Sequence, residues 1–398
     1  MLFKVAVGLW VLSLVVICVR AFCDPTANTV TVPYSLASKA WWGGGRVYIG
    51  PGGMNYLPHF AIIFSLFDAM PAPFGEILWR VFAFALVTTG LWRFCRRLGG
   101  AAPHSDASGM NVSGGDVHEK NASGGDAYTS FFWVTLLTLP LSLAALRNGQ
   151  ANAVFGGMIL HAVVSLDSKK WGWAAGWIVL SAAVKPLGIV LALLAPFVYR
   201  PLRWRMLLAL AALVGFPFLF ATPAYVMAQY HAFAGNLKVC AVVNDNSYAD
   251  IGGVLRAFHV EMPPLLSKAV RVLGGGVTLM LWMWGSKWLR GPLRALWLLA
   301  LTGSYLMLFN PMNEANSYVI MAPAFALWAV ALLRGGECRR TGWAIVFITL
   351  SMGVLPSVLY PWLGNGFALV WHPVMTMVFV VLLVPVVMRL GEEKNDEG

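Results

Sequence analysis

Charge is what this sequence has least of. Lys, Arg, Asp and Glu make up only 11% of its 398 residues, where soluble domains carry roughly 25%. A chain this poor in charge cannot cover itself with a water-facing surface, so the hydrocarbon of a bilayer must be its solvent. Cysteine is scarce as well. The five present (Cys18, Cys23, Cys95, Cys240 and Cys338) fall in no metal-ligand spacing, and no metal site is expected. There is no G-x-x-x-x-G-K-[ST] phosphate loop and no H-E-x-x-H pair, which argues against ATP-driven transport and zinc hydrolysis. Acidic residues are few, 17 against 28 basic ones. The resulting charge of +11 needs no nucleic-acid partner, because basic residues flanking membrane spans on the cytoplasmic side give the same excess.

What is abundant is apolar. Hydrophobic residues are 59% of the chain, and 18 Trp contribute to an aromatic share of 13% that suits rings anchored at membrane interfaces. Long apolar runs recur from Leu2–Ala21 to the stretch at 367–389. At about 20 apolar residues per span, the chain has room for about twelve. The expected fold class is an all-α polytopic membrane protein, one membrane-embedded domain over 1–398. Leu2–Ala21 reads as a retained first span, because it runs through Trp10 without a small-x-small exit.

Basic clusters orient the spans. With the N-terminus inside, Arg93/Arg96/Arg97, Lys169/Lys170, Arg200/Arg203/Arg205, Lys287/Arg290/Arg294 and Arg334/Arg339/Arg340 all fall in cytoplasmic loops, as the positive-inside rule requires. Both termini are then cytoplasmic, and a plasma (inner) membrane location is expected. The remaining Lys and Arg, among them Arg46, Arg80, Arg147 and Lys185, lie on the far side against this bias.

Three segments do not read as spans. The first extracytoplasmic loop, 22–75, holds a Gly/Trp-rich stretch and then Tyr56–Ala69, too short to cross and suited to a helix lying at the interface. The Gly/Ser/Asn-rich insert at 99–127 reads as disordered and cytoplasmic. The extracytoplasmic loop at 222–264 is rich in Asn, Asp, Tyr and His. Cys23 and Cys240 both fall outside the cytoplasm and could pair in an oxidising compartment.

Ionisable groups at the edge of hydrocarbon are costly, so those that persist are functional candidates. Arg147-Asn148-Gly149-Gln150-Ala151-Asn152 is a tight polar turn; it is either a hydrophilic hairpin or a platform for hydroxyls or phosphate. Lys185-Pro186 breaks an apolar stretch and places a cation at the membrane edge, snorkelling or meeting a lipid phosphate. Glu314 stands among amides in the turn from Asn310 to Tyr318. Asp24 follows the first span directly, where a partly desolvated carboxylate can serve as a general base. Asp245, between Asn244 and Asn246, is a weaker candidate of the same kind.

Taken together, Tyr34-Ser-Leu-Ala37, Gly45-Arg-Val-Tyr48, Asn55-Tyr56-Leu57-Pro58, Asn148-Gly-Gln150-Ala-Asn152, Ala182-Ala-Val-Lys185-Pro186 and Asn310-Pro311 stand in an order that resembles glycosyltransferase family 87, mannosyltransferase-like membrane enzymes of the GT-C superfamily. The resemblance implies a GT-C-like bundle with a large first extracytoplasmic loop, and transfer with inversion of a sugar such as mannose from a polyprenyl-phosphate donor to a lipid or glycan acceptor outside the cytoplasm. The lipid-linked sugar is then a substrate, and no cofactor is implied. Asp24 is the base expected from the first loop, although relatives usually place that acid only a few residues before the tyrosine matched by Tyr34; Glu314 and Asp245 stand as alternatives. Lys185, with Arg147, would meet the leaving phosphate. Gln150 and Asn152 would hold sugar hydroxyls, with Tyr56, Asp245 and Asn316 as further substrate-binding residues. A secondary transporter would instead place charges and helix breaks near the midplane in two matched halves; no such repeat is found. A polyprenyl-lipid flippase or polymerase would share the lipid partner.

Overall fold

The computed structural model describes residues 1–27, 29–50, 52–100, 116–240, 248–336 and 338–396. Among them the chain is helical, with no strand. The helices are α1 Leu2–Cys23, α2 Val32–Trp42, α3 Pro58–Asp68, α4 Ala72–Gly99, α5 Asp116–Arg147, α6 Ala151–Asp167, α7 Trp171–Val184, α8 Ile189–Val198, α9 Arg203–Gly215, α10 Pro223–Cys240, α11 Ile251–Ala257, α12 Pro264–Trp288, α13 Gly291–Phe309, α14 Ala322–Gly335, α15 Arg339–Leu363 and α16 Gly366–Asp396. Proline stands in the first turn of α2, α3, α4, α12, α13 and α14. There its missing N–H costs nothing and its fixed φ suits the helix.

Eight helices are long and apolar enough to cross a membrane, with shorter apolar helices between them, among them α3, α6, α7 and α14. This is an all-α polytopic membrane protein. Its centre is set by helices apolar on every side. Nearly all of α6 is buried between α4, α7 and α13, and α14 is buried likewise. Of the apolar windows, 78% is buried in α13 but only 11% in α12; a helix apolar all round belongs in the interior, and α12 belongs at the rim. There Leu265, Val272 and Leu273 stay exposed.

The two ends of the bundle differ. One end carries ion pairs between helices: Arg97 Nε to Asp167 at 2.5 Å, and Arg334 Nη2 to Asp126 at 2.6 Å. At the other end, α2, α3 and the turns after α5, α7 and α13 pack together.

Several loops differ from expectation. The stretch expected as an interfacial helix is helical as α3, and a second helix, α2, takes in Trp41 and Trp42 of the Gly/Trp-rich stretch and ends at Gly43 and Gly44. Residues 101–115 of the insert lie outside the described residues, and the chain is helical again from Asp116. The 222–264 segment holds α10 and α11. Cys23 and Cys240 are both free thiols, Cys23 exposed and Cys240 buried with its Sγ 3.3 Å from Asn55 Oδ1.

Candidate active site

Three polar turns far apart in sequence meet at this end of the bundle. The first joins α5 to α6. Gly149 has φ +64°, a left-handed conformation that costs other residues roughly 1–2 kcal/mol, and the turn is clamped from outside. Trp79 Nε1 donates to the Gly149 carbonyl at 2.7 Å, Arg80 Nε to that of Arg147 at 3.0 Å, and Val30 N to that of Asn148 at 3.0 Å. Arg80 is itself buried and pairs with Glu76, which also accepts from Thr31. The clamp fixes Gln150 at the N-cap of α6 and Asn152 in its first turn.

The second turn is the break after α7. The residue before a proline is pushed out of the α region, and Lys185 is extended at φ −139°, ψ 129°. The chain folds straight back, so closely that a Cβ on Gly188 would lie 2.5 Å from Ala182 N and from Ser181 Oγ. The third turn follows α13, where Asn313 Nδ2 caps the Met307 carbonyl at 2.9 Å and Ser317 N donates to the Glu314 carbonyl at 2.9 Å.

These turns line a cavity of about 640 Å³, and a hydrogen-bond chain crosses it. Lys185 Nζ donates to Asn152 Oδ1. Asn152 Nδ2 donates to Gln150 Oε1 at 3.4 Å and to Ser317 Oγ at 3.0 Å, and Gln150 Nε2 donates to Glu314 Oε2 at 2.8 Å. The charged ends fix both amides: an ammonium only donates, so Asn152 must offer oxygen, and a carboxylate only accepts, so Gln150 must offer nitrogen. Cation and anion are thus joined by two aligned amides, each polarising the next. Burial lowers the Lys185 ammonium to about 8, with the Glu314 charge acting against that fall.

Two tyrosines form the roof. Tyr34 and Tyr56 hydroxyls are 3.1 Å apart, Tyr34 Oη lies 3.5 Å from Ala151 N, and Lys185 Nζ sits 5.5 Å over the Tyr56 ring, within cation–π range. Burial pushes Tyr34 up to about 12 and Tyr56 well above its ordinary value. Both phenols therefore keep their protons, and among the described lining residues Glu314 is the carboxylate that can accept one.

Of the residues expected at the site, Tyr56, Gln150, Asn152, Lys185 and Glu314 come together here. Asp24 does not line the cavity. It is exposed, and its Oδ1 accepts from Thr26 N, Thr26 Oγ1 and Ala27 N, closing its own turn. Arg147 is exposed and turned to Asn148 Oδ1 at 3.1 Å, and Asn316 is not among the lining residues. Asp245 lies outside the described residues. Sequence reasoning assigned no role to Ser317, although it stood within the polar turn, nor to Asn55 and Tyr34, which stood in the motifs.

No curated protein and no solved structure matches the chain. A family model does, over residues 55–311. That stretch is well over half of the chain, holds Tyr56, Gln150, Asn152 and Lys185, and stops just short of Glu314. By that match, the chain belongs to glycosyltransferase family 87.

Proposed function

We infer that the chain is an inverting hexosyltransferase of the GT-C type, taking mannose or a similar sugar from a polyprenyl-phosphate donor and passing it to a lipid or glycan acceptor on the extracytoplasmic side of the plasma membrane. The short apolar helices α6, α7, α8 and α14 complete about twelve spans by this reading, and the end rich in arginine faces the cytoplasm.

The observation that carries it is the Lys185–Asn152–Gln150–Glu314 chain inside one cavity. Glu314 takes the proton of the acceptor hydroxyl as that oxygen attacks the anomeric carbon. The bond from that carbon to the phosphate oxygen breaks on the opposite face, and polyprenyl phosphate leaves with the electron pair. Lys185 neutralises the charge that develops there, as a preorganised cation does most effectively in a site shielded from water. Asn152 and Gln150, already tied to those two groups, offer their remaining hydrogen-bonding capacity to the sugar. Asp24, committed to its own turn, is outside this scheme.

The test is transfer by the purified full-length protein from a polyprenyl-phospho-hexose donor. Wild type should consume the donor with inversion, Glu314→Gln should slow transfer by roughly 100-fold or more, and Asp24→Asn should leave it intact. A loss of less than about tenfold in Glu314→Gln removes the assigned base. Lipid or solute movement in proteoliposomes without any glycosyl transfer would make the chain a flippase or transporter instead.

A further inference from the structure

A second cavity, of about 620 Å³, lies beside the first, and the two share Leu237, Tyr248, Pro311 and Met312 as a common wall. Among the described residues its charged lining is unbalanced: Lys238, Arg256, Lys268 and Arg271 face Asp250 and Glu261. Asp250 is already engaged. It caps α11 by accepting from Gly253 N at 2.6 Å, and Arg256 Nη2 lies 3.9 Å from it. Arg256 Nε is buried and finds no hydrogen-bond partner among the described residues. A buried donor left unmade carries its full desolvation cost, and an anion in this cavity would remove that cost.

The form of the ligand follows from α12. Pro264, Ser267, Lys268 and Arg271 line the cavity, a spacing that puts them on one helix face. On the flanking faces of the same turns, Leu265, Leu266, Val272 and Leu273 are exposed. Cationic cavity and lipid-facing surface are therefore one helix width apart, an arrangement suited to a molecule with an anionic head and apolar tails. The donor's own phosphate is excluded as the occupant, because it is bonded to the anomeric carbon and must lie in the first cavity with Glu314.

We propose that this second cavity seats the phosphate-bearing head group of the acceptor, a membrane lipid whose hydroxyl is presented across the shared wall to Glu314. This rests on the transferase reading above. Recognition combines charge-assisted hydrogen bonds from Arg256 and Arg271 with the Lys268 ammonium.

The full-length protein, in a neutral membrane mimetic, should bind a short-chain phosphatidylglycerol at least tenfold more tightly than an uncharged glucosyl diacylglycerol. The double variant Lys268→Gln/Arg271→Gln should lose that preference while still binding the polyprenyl-phosphate donor. Lys39→Gln, which removes an exposed cation outside the cavity, should keep it; equal loss in this control would mean general surface charge and overturn the site. Equal binding of the two lipids by wild type, or a preference that survives the double variant, also overturns it. Soluble glycerol phosphate that competes as well as the lipid would overturn the lipid assignment. A chain that shows the preference but transfers no sugar fails the transferase reading alone. One that transfers sugar but treats charged and neutral lipids alike fails this inference alone.

Discussion

The two neighbouring cavities differ in how their charges are used. In the first, one cation and one carboxylate are joined through two amides. In the second, four cations outnumber two acids among the described residues, and one buried guanidinium N–H finds no partner among them. A cation linked to a free carboxylate is equipped to move a proton and to receive a leaving group, whereas an excess of cations beside an acid spent on helix capping is equipped to hold an anion. Nearly equal volumes are therefore equipped for different chemistry.

The largest effect that could break this contrast is Glu314→Gln. Removing a general base should lower kcat by roughly 10²–10⁴-fold, with donor binding kept; a loss under tenfold would leave the first cavity no more reactive than the second. Lys185→Ala should follow, at about 10²–10³-fold, the range for a single electrostatic stabiliser. Its pH dependence sharpens the point. Lys185 must be protonated to meet phosphate, and burial brings it down to about 8, so kcat/KM for the donor should fall as pH rises through that region. Lys185→Arg should carry the falling limb to much higher pH. A limb that stays in place assigns it to another group.

Smaller in effect, Gln150→Ala removes one charge-assisted hydrogen bond, about 1.5–3 kcal/mol. It should cost roughly 10–100-fold in kcat/KM, and Asn152→Ala should cost a similar amount; substitutions of Lys268 or Arg271 should leave donor binding unaffected. Gly149→Ala should destabilise by about 1–2 kcal/mol, read as earlier thermal unfolding in detergent, since the added Cβ is left-handed and 3.1 Å from Thr31 Cγ2. Asp24→Asn should change neither activity nor stability by more than about 0.5 kcal/mol, as for a surface residue.

Much of the first cavity was legible in sequence. The polar turns at 147–152, at Lys185-Pro186 and at 310–318 stood out because amides and charges are costly beside lipid, and proline and glycine marked the breaks. What periodicity could not supply was their convergence, since Gln150 and Glu314 are 164 residues apart and meet only through the packing of α6 with α13 and the turn that follows. Asp24 was drawn in by its position after α1; its local hydrogen bonds are visible only in three dimensions. The clamp of Trp79, Arg80 and Glu76 was hidden because a charged pair inside an apolar helix looks like an interruption. The second cavity had a signal that went unused: Lys238, Arg256, Lys268 and Arg271 were among the basic residues left on the side that orientation disfavours. The helices α2, α10 and α11 were missed for want of the long apolar runs on which the spans were recognised.

The shortness of α7 has a mechanical consequence. Its 14 residues rise only about 21 Å, against roughly 30 Å of hydrocarbon. With α7 as one of the spans proposed above, the bilayer would have to thin beside it or admit water from one side, leaving Lys185 at the floor of a dent in the membrane surface. On the function proposed above, a polyisoprenoid phosphate sliding into that dent would reach the ammonium without being lifted from the leaflet. Turnover then depends on bilayer thickness itself, and longer acyl chains, which resist the dent, should slow an enzyme whose every side chain is intact.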